Sequence, residues 1–372
     1  MLQINGDYLE GGGQIIRTAL ALSTLTQKPF EVVNIRAKRP SPGLKSQHLK
    51  CIEALEKLCD AKAGYAALGS TKLRYIPNKI NGKTISVDIG TAGSVSLLLQ
   101  AVLIPSLFAG SKVHLRIKGG TAAKYAMPYE YFENVLLPYL RRFVKSIESK
   151  QETRGYFPKG AGMIDIIIRP KYNINDFSSF YEFRNFLNLS LPKFNLLEQG
   201  QLQRIAGISH ASAMLGNKEV AERQAHAAKV SLLSLNAPIS IRSEYSNTLS
   251  PGSGITLWAQ FSNAQLSSHG EQELTTAEDP HILGADALGE HSKISEKVGQ
   301  EAADKLLKEI NSTAPIDSHL ADNLVPLIAL YPGNKIRVSE VTMHTKTNIW
   351  IVNEFLGDVL ELDEENRIIS SR

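Results

Sequence analysis

The sequence predicts an α/β fold of the α+β kind: three repeated α/β units and a smaller α/β domain inserted among them. Segments of helical periodicity alternate with short β-branched runs along most of the chain. The order helix, strand, helix, paired strands returns three times at a spacing of about 80 residues. A stretch between the second and third occurrences departs from that order, and this departure is what marks an insertion.

In the first unit, Gly13-Gln14-Ile15-Ile16-Arg17 opens a helix through Leu25. A strand follows at 30–35, a second amphipathic helix at 44–58, and strand-like runs at 73–76 and 84–89. In the second, Ala92-Gly93-Ser94 opens an apolar helix to Phe108, before a strand at 113–117, a helix at 129–144 and a β-branched run at 163–168. The third places helices at 320–330 and 347–355 and strands at 335–338 and 359–362. The inserted segment has strands at 202–208, 239–244 and 255–261 and a helix at 220–235. Pro251-Gly252-Ser253-Gly254 reads as a hairpin connection between its last two strands. The expected division is 1–182 for repeats one and two, 183–281 for the insert and 282–372 for repeat three.

At 372 residues the chain is long enough to bury a sizeable core, and its apolar and charged fractions of 43% and 21% are those of a globular protein. The formal charge of +4 is compatible with a polyanionic partner without demanding one. Basic residues cluster at Arg17, Arg36, Lys38, Arg39, Lys45 and Lys50, and again at Arg141, Arg142 and Lys145. The only cysteines, Cys51 and Cys59, fall within one helix too far apart to bridge, which argues against a disulfide framework or a cysteine zinc site. Neither a signal-peptide pattern nor an apolar run of membrane-spanning length is found, so a cytoplasmic location away from membranes is expected.

Nucleotide loops of the common kinds are missing. Gly155-Tyr156-Phe157-Pro158-Lys159-Gly160 has the glycine spacing of a Walker loop but continues with Ala161-Gly162, without the lysine and hydroxyl residue, and no dinucleotide fingerprint occurs. Three other glycine loops feed segments where anions would be favoured: Glu10-Gly11-Gly12-Gly13-Gln14, Gly90-Thr91-Ala92-Gly93-Ser94 and Gly119-Gly120-Thr121. Glycine lets backbone N–H groups approach an anion closely, and a helix start adds a favourable field. Glu10, shortly before Arg17, places a divalent-cation ligand beside a phosphate-binding guanidinium. Arg36, Lys38 and Arg39 precede the rigid Pro40-Ser41-Pro42-Gly43 turn and suit a polyphosphate or RNA backbone. In Asp317-Ser318-His319-Leu320-Ala321-Asp322-Asn323, Asp317 or Ser318 is a natural N-cap, which sets His319 in the first turn of a helix, where phosphate is attracted and imidazolium disfavoured.

Residues 10–17 (EGGGQIIR), 35–49 (IRAKRPSPGLKSQHL), 90–100 (GTAGSVSLLLQ), 154–164 (RGYFPKGAGMI) and 317–322 (DSHLAD) together resemble the RNA 3′-terminal phosphate cyclase family across nearly the whole chain. The resemblance implies a large domain of three repeats like the C-terminal domain of translation initiation factor three, interrupted by a smaller domain. It implies that His319 becomes adenylylated, that Glu10 binds Mg²⁺ or Mn²⁺, and that Arg17, Arg39 and Gln47 contact the phosphates of ATP or the RNA end. Gln100 is implied in the same pocket, Pro128 against the adenine, and Arg36 on the phosphate-binding surface. The partners so implied are ATP and an RNA bearing a 3′-terminal phosphate; the oligomeric state is left open by the sequence, a homodimer being one candidate. Three positions depart from the family pattern: Ala161 in a glycine triplet, Asn323 where glutamine is usual, and Ile294 where an aromatic ring is aligned. Other readings are a non-catalytic cyclase-like ribosome-assembly factor and an enolpyruvyl transferase built on a similar repeat.

Overall fold

The computed structural model describes residues 1–262 and 280–372. In the first unit, strand Leu2–Asn5 leads into helix Gly13–Thr26, which is apolar or small on every side except at Gln14 and Arg17 and is buried from Gln14 to its end. The chain reverses at Gln27, in the left-handed region, and strand Phe30–Val33 returns parallel to Leu2–Asn5. Helix Ser46–Cys59 then crosses over to an antiparallel pair, Lys62–Gly64 and Leu73–Ile76, whose second strand lies against Phe30–Val33.

The same path recurs in the second unit. Strand Thr84–Asp88, helix Val95–Leu107 and strand Val113–Gly119 are followed by a helical stretch over 129–143 and the long pair Val144–Thr153 and Gly162–Pro170. That helical stretch widens at Phe132–Leu136, where the Leu137 N–H reaches back to the Phe132 carbonyl; Pro138, which has no N–H to give, follows directly. In the third unit, strand Asn195–Leu196 pairs in parallel with Lys335–Arg337. Helices Ser318–Ile328 and Met343–Leu356 and strands Leu360–Asp363 and Ile368–Ser371 complete it.

Each unit is therefore strand, helix, strand, helix and two strands, with the first two strands parallel and the last strand lying inside the third. This corrects the repeat read from the sequence. Residues 84–89 do not close the first unit: Leu73–Ile76 already has neighbours on both sides, so Thr84–Asp88 opens the second sheet instead. The strand over Val144–Thr153 had no counterpart in the sequence reading; its alternating polar residues keep one face in solvent.

Between Asn195–Leu196 and the helix bearing His319 the chain builds a fourth sheet. Its central strand Leu202–Ser212 has Ile239–Ser246 parallel on one side and Ser253–Phe261 antiparallel on the other, and Ile282–Leu288 forms the far edge. Residues 251–254 are thus not a hairpin, because the strands they connect lie on opposite sides of Leu202–Ser212. Helices Val220–Leu232 and Ser295–Asn311 cover this sheet through Ala228, Leu232, Ala302 and Leu306, packed on Leu257 and Leu283. The sheet uses residues on both sides of the 281/282 line, and Asn195–Leu196 pairs with the third unit although it falls in the 183–281 segment. Residues 263–279 of that segment lie outside the described residues.

The three units share one core. Ile16 and Leu20, Leu99 and Val102, and Leu324, Ile328 and Val352 belong to a single contiguous cluster, with helix Gly13–Thr26 packed between Val95–Leu107 and Met343–Leu356. Both cysteines are buried and unbridged. Among the described residues no helix is long and apolar enough to cross a membrane.

Candidate active site

The first helix of each unit opens on one cleft of about 700 Å³. Gly13, Gln14 and Arg17 come from the first, Leu97 and Gln100 from the second, and His319, Asp322 and Asn323 from the third. Three of these residues meet across the units. Arg17 Nε donates to Gln100 Oε1 at 2.8 Å, Gln100 Nε2 donates to Asn323 Oδ1 at 3.2 Å, and Asn323 Nδ2 donates to the His319 carbonyl oxygen at 2.8 Å.

The glycine loop before the first helix is close-packed. Gly11 has a φ of +56°, a conformation glycine adopts without strain. A Cβ on Gly12 would strike the Glu10 carboxylate, and one on Gly13 would strike the His48 ring and stand 3.0 Å from an Arg17 nitrogen. The approach of three polar side chains to this loop therefore depends on hydrogen at both Cα positions. Arg17 is 7% exposed, with a second hydrogen bond to Gln14 Oε1 at 2.8 Å. Burial lowers its pKa to about 10, so it remains cationic at neutral pH. The Arg36 guanidinium is also pulled down, by burial first and then by neighbouring Arg39. His48 is buried beneath the loop, its Nδ1 accepting the Lys45 N–H at 3.0 Å. Burial, reinforced by Arg17, Arg36 and Lys45, depresses its pKa to about 3 and keeps the ring neutral.

Glu10 lies between two units. Arg39 Nη2 is 3.1 Å from its Oε1, and His344 Nδ1, from the start of helix Met343–Leu356, is 3.2 Å from the same oxygen. Among the described residues no group of three or more His, Cys, Asp or Glu side chains is close enough to hold a metal. A carboxylate beside an imidazole still fits the small protein share of a cation shell completed by phosphate oxygens.

Helix Ser318–Ile328 begins as its sequence requires. Asp317 is the N-cap, its Oδ1 accepting the N–H groups of His319 at 3.0 Å and Leu320 at 2.9 Å. The same buried carboxylate accepts the Tyr131 hydroxyl at 2.5 Å and the Gly284 N–H at 2.9 Å, which ties the helix start to the second unit and to the fourth sheet. His319 is exposed in the first turn, with the Tyr131 ring edge-on at 6.2 Å between centroids. Asp286 and Lys305 share its wall of the cleft, and burial pushes the Asp286 carboxyl up while His319 opposes the shift.

Of the residues singled out in the sequence, Glu10, Arg17, Arg36, Arg39, Gln100 and His319 line this one cleft. Gln47 does not line it: its amide donates to the Ser94 carbonyl at 3.0 Å and fastens the second glycine loop. Pro128 is buried at the start of helix Tyr129–Tyr131, and the five residues before it, 123–127, form the wall instead. Ile294 is 64% exposed and off the wall, whereas its neighbour Lys293 is on it. Gly119-Gly120-Thr121 packs against another loop, with the Thr121 hydroxyl accepting the Gly155 N–H at 3.1 Å. The role of Tyr131 and the Gln100 contact of Asn323 had no sequence signal, since each joins residues more than 180 apart.

Repeated units of this topology thus gather arginines, a carboxylate and an exposed histidine on a capped turn in one cleft where their first helices converge, an arrangement suited to phosphate-bearing ligands. A family model described as RNA 3′-terminal phosphate cyclase matches residues 8–362. The RNA 3′-terminal phosphate cyclase of Pyrococcus furiosus is 40% identical over 362 residues, covering 97% of this chain and 95% of the relative. That of Archaeoglobus fulgidus is 40% identical over 370 residues, 99% of each, and that of Methanosarcina barkeri 37% identical over 365 residues, 98% and 97%. The chain belongs to the RNA 3′-terminal phosphate cyclase family.

Proposed function

We propose that this protein uses ATP to convert an RNA 3′-terminal phosphate into a 2′,3′-cyclic phosphodiester, with His319 carrying AMP between the two substrates. The observation that carries the reading is the exposed His319 ring on a capped first turn, in the same cleft as Arg17, Arg36, Arg39 and Glu10.

In the first step a neutral His319 ring nitrogen attacks the α-phosphorus of ATP. A P–N bond forms, the bond to the bridging oxygen breaks, and pyrophosphate leaves toward Arg17, Arg36 and Arg39, whose charges oppose its own. An oxygen of the RNA 3′-phosphate then attacks the same phosphorus and expels the imidazole, giving an RNA–adenylate anhydride. The neighbouring ribose 2′-hydroxyl finally attacks the RNA phosphorus, loses its proton, and releases AMP. Ring closure is intramolecular, so orientation by the cleft supplies most of what this step needs. Mg²⁺ or Mn²⁺ held by Glu10, with His344 at hand, would add positive charge at the triphosphate. Asp317 holds the first-turn backbone, and the Arg17–Gln100–Asn323 line fixes that helix relative to the cationic wall. We further propose that the three units act as one catalytic body, with the sheet of Leu202–Ser212 as an inserted domain that contributes Asp286 and Lys305.

The test is incubation of a synthetic RNA bearing a 3′-terminal phosphate with the protein, ATP and divalent cation. The reading predicts an RNA end that resists phosphatase. RNA that is bound but keeps a phosphatase-sensitive end would replace the enzyme by a non-catalytic RNA-binding relative.

A further inference from the structure

One ring on the cleft wall has no role in the chemistry above. Tyr125 is 90% exposed, an unusual state for a tyrosine that lines a cleft, and its backbone sits at φ +63°, where a bulky side chain is strained. The loop presenting it is anchored at both ends: the Tyr129 N–H donates to the Thr121 carbonyl at 2.9 Å and the Ser96 hydroxyl to the Met127 carbonyl at 2.5 Å. Beside it, the Lys124 ammonium lies 5.4 Å from the Tyr125 ring centroid and 3.3 Å from Glu290 on the fourth-sheet side of the cleft. The ring is thus presented at the rim by a fixed loop, next to a cation.

Building on the reading above, we infer that Tyr125 is the stacking platform for the 3′-terminal base of the RNA. ATP ends inside a cleft of about 700 Å³, with its triphosphate on the Gly12–Arg39 side, whereas an RNA strand has to leave across the rim. With Lys124 over one face, the exposed ring leaves its other face for a polymer whose bases continue outward, and stacking on it is indifferent to base identity. Lys124 adds charge where the strand's backbone passes.

The experiment uses Tyr125→Ala and Tyr125→Phe in the full chain with three readouts: fluorescence of an RNA 3′-phosphate carrying 2-aminopurine as its last base, without ATP; KM for RNA in cyclisation; and KM for ATP in self-adenylylation. Wild type and Tyr125→Phe should quench the fluorophore on binding. Tyr125→Ala should lose the quench and raise KM for RNA about tenfold, leaving self-adenylylation unchanged. A raised KM for ATP with RNA binding intact would assign the ring to adenine and overturn the inference, as would no change in any readout. The fluorescence arm needs no chemistry, so absence of self-adenylylation in the wild type would sink the histidine mechanism while the quench still judged Tyr125.

Discussion

Asn323 joins Gln100 to the backbone of His319: its Oδ1 accepts the Gln100 amide at 3.2 Å and its Nδ2 donates to the His319 carbonyl at 2.8 Å. Through Gln100 the same line reaches Arg17, so the nucleophile proposed here and the buried cation are set relative to one another by two amides from two repeats.

Removing that link should uncouple position from stability. Asn323→Ala should cost about 1 kcal/mol of unfolding free energy, the worth of its hydrogen bonds, while lowering the rate of self-adenylylation roughly tenfold with little change in KM for ATP. A rate equal to wild type in a folded variant would show that the line is structural only.

The glycine loop makes a sharper demand. Gly12→Ala drives a methyl into the Glu10 carboxylate and within 3.3 Å of Arg39 Nη2, both at the ends of flexible side chains. The fold should therefore lose no more than about 1 kcal/mol, yet the pair must part, and metal-dependent self-adenylylation should fall at least about tenfold. Thermal unfolding and labelling kinetics on the same preparation decide it.

How far the sequence revealed this arrangement follows from the range of each interaction. Most helices announced themselves by periodicity and capping, Asp317 before His319 most clearly, because those causes lie within a few residues, although Phe180–Ser190 and Ser295–Asn311 were not read. The unit boundary was misplaced at residues 84–89 since a strand's sheet is decided by its partners; nothing local distinguishes Thr84–Asp88 from the Leu73–Ile76 pair. Asn195–Leu196 was too short to show any period. In the cleft, charged residues beside glycines were legible, and His344 could be read as approaching the site from the last repeat, as it does; Tyr131 and the Gln100 contact of Asn323 arise only from packing between repeats.

Ala161 records a local cost of divergence. It stands at φ +62°, a conformation that costs a non-glycine residue about 1–2 kcal/mol, part of which glycine would return as unfolded-chain entropy. Ala161→Gly should thus raise stability by about 0.5–1 kcal/mol, seen as a higher urea midpoint at unchanged slope. A lower midpoint would mean that its methyl packs usefully.

Acid should weaken the protein in a definite window. The folded-state pKa of His48 is about 3, below the value of about 6.5 expected unfolded, so the unfolded chain binds more protons between them. Stability is complete above that upper value and declines as pH falls, by at most about 1.4 kcal/mol per pH unit for this group. Buried His210 is depressed in the same direction and adds to the slope. In urea titrations from pH 7 to pH 4.5, His48→Asn should flatten the decline; an unchanged slope would show that His48 already titrates normally in the folded protein.

The most direct measurement is incubation with ATP labelled at the α-phosphate, with divalent cation and without RNA, followed by denaturing electrophoresis. Wild-type protein should carry the label in an acid-labile bond, released by an RNA 3′-phosphate, and a folded His319→Asn variant should carry none. Labelling of that variant at the wild-type level would contradict the account.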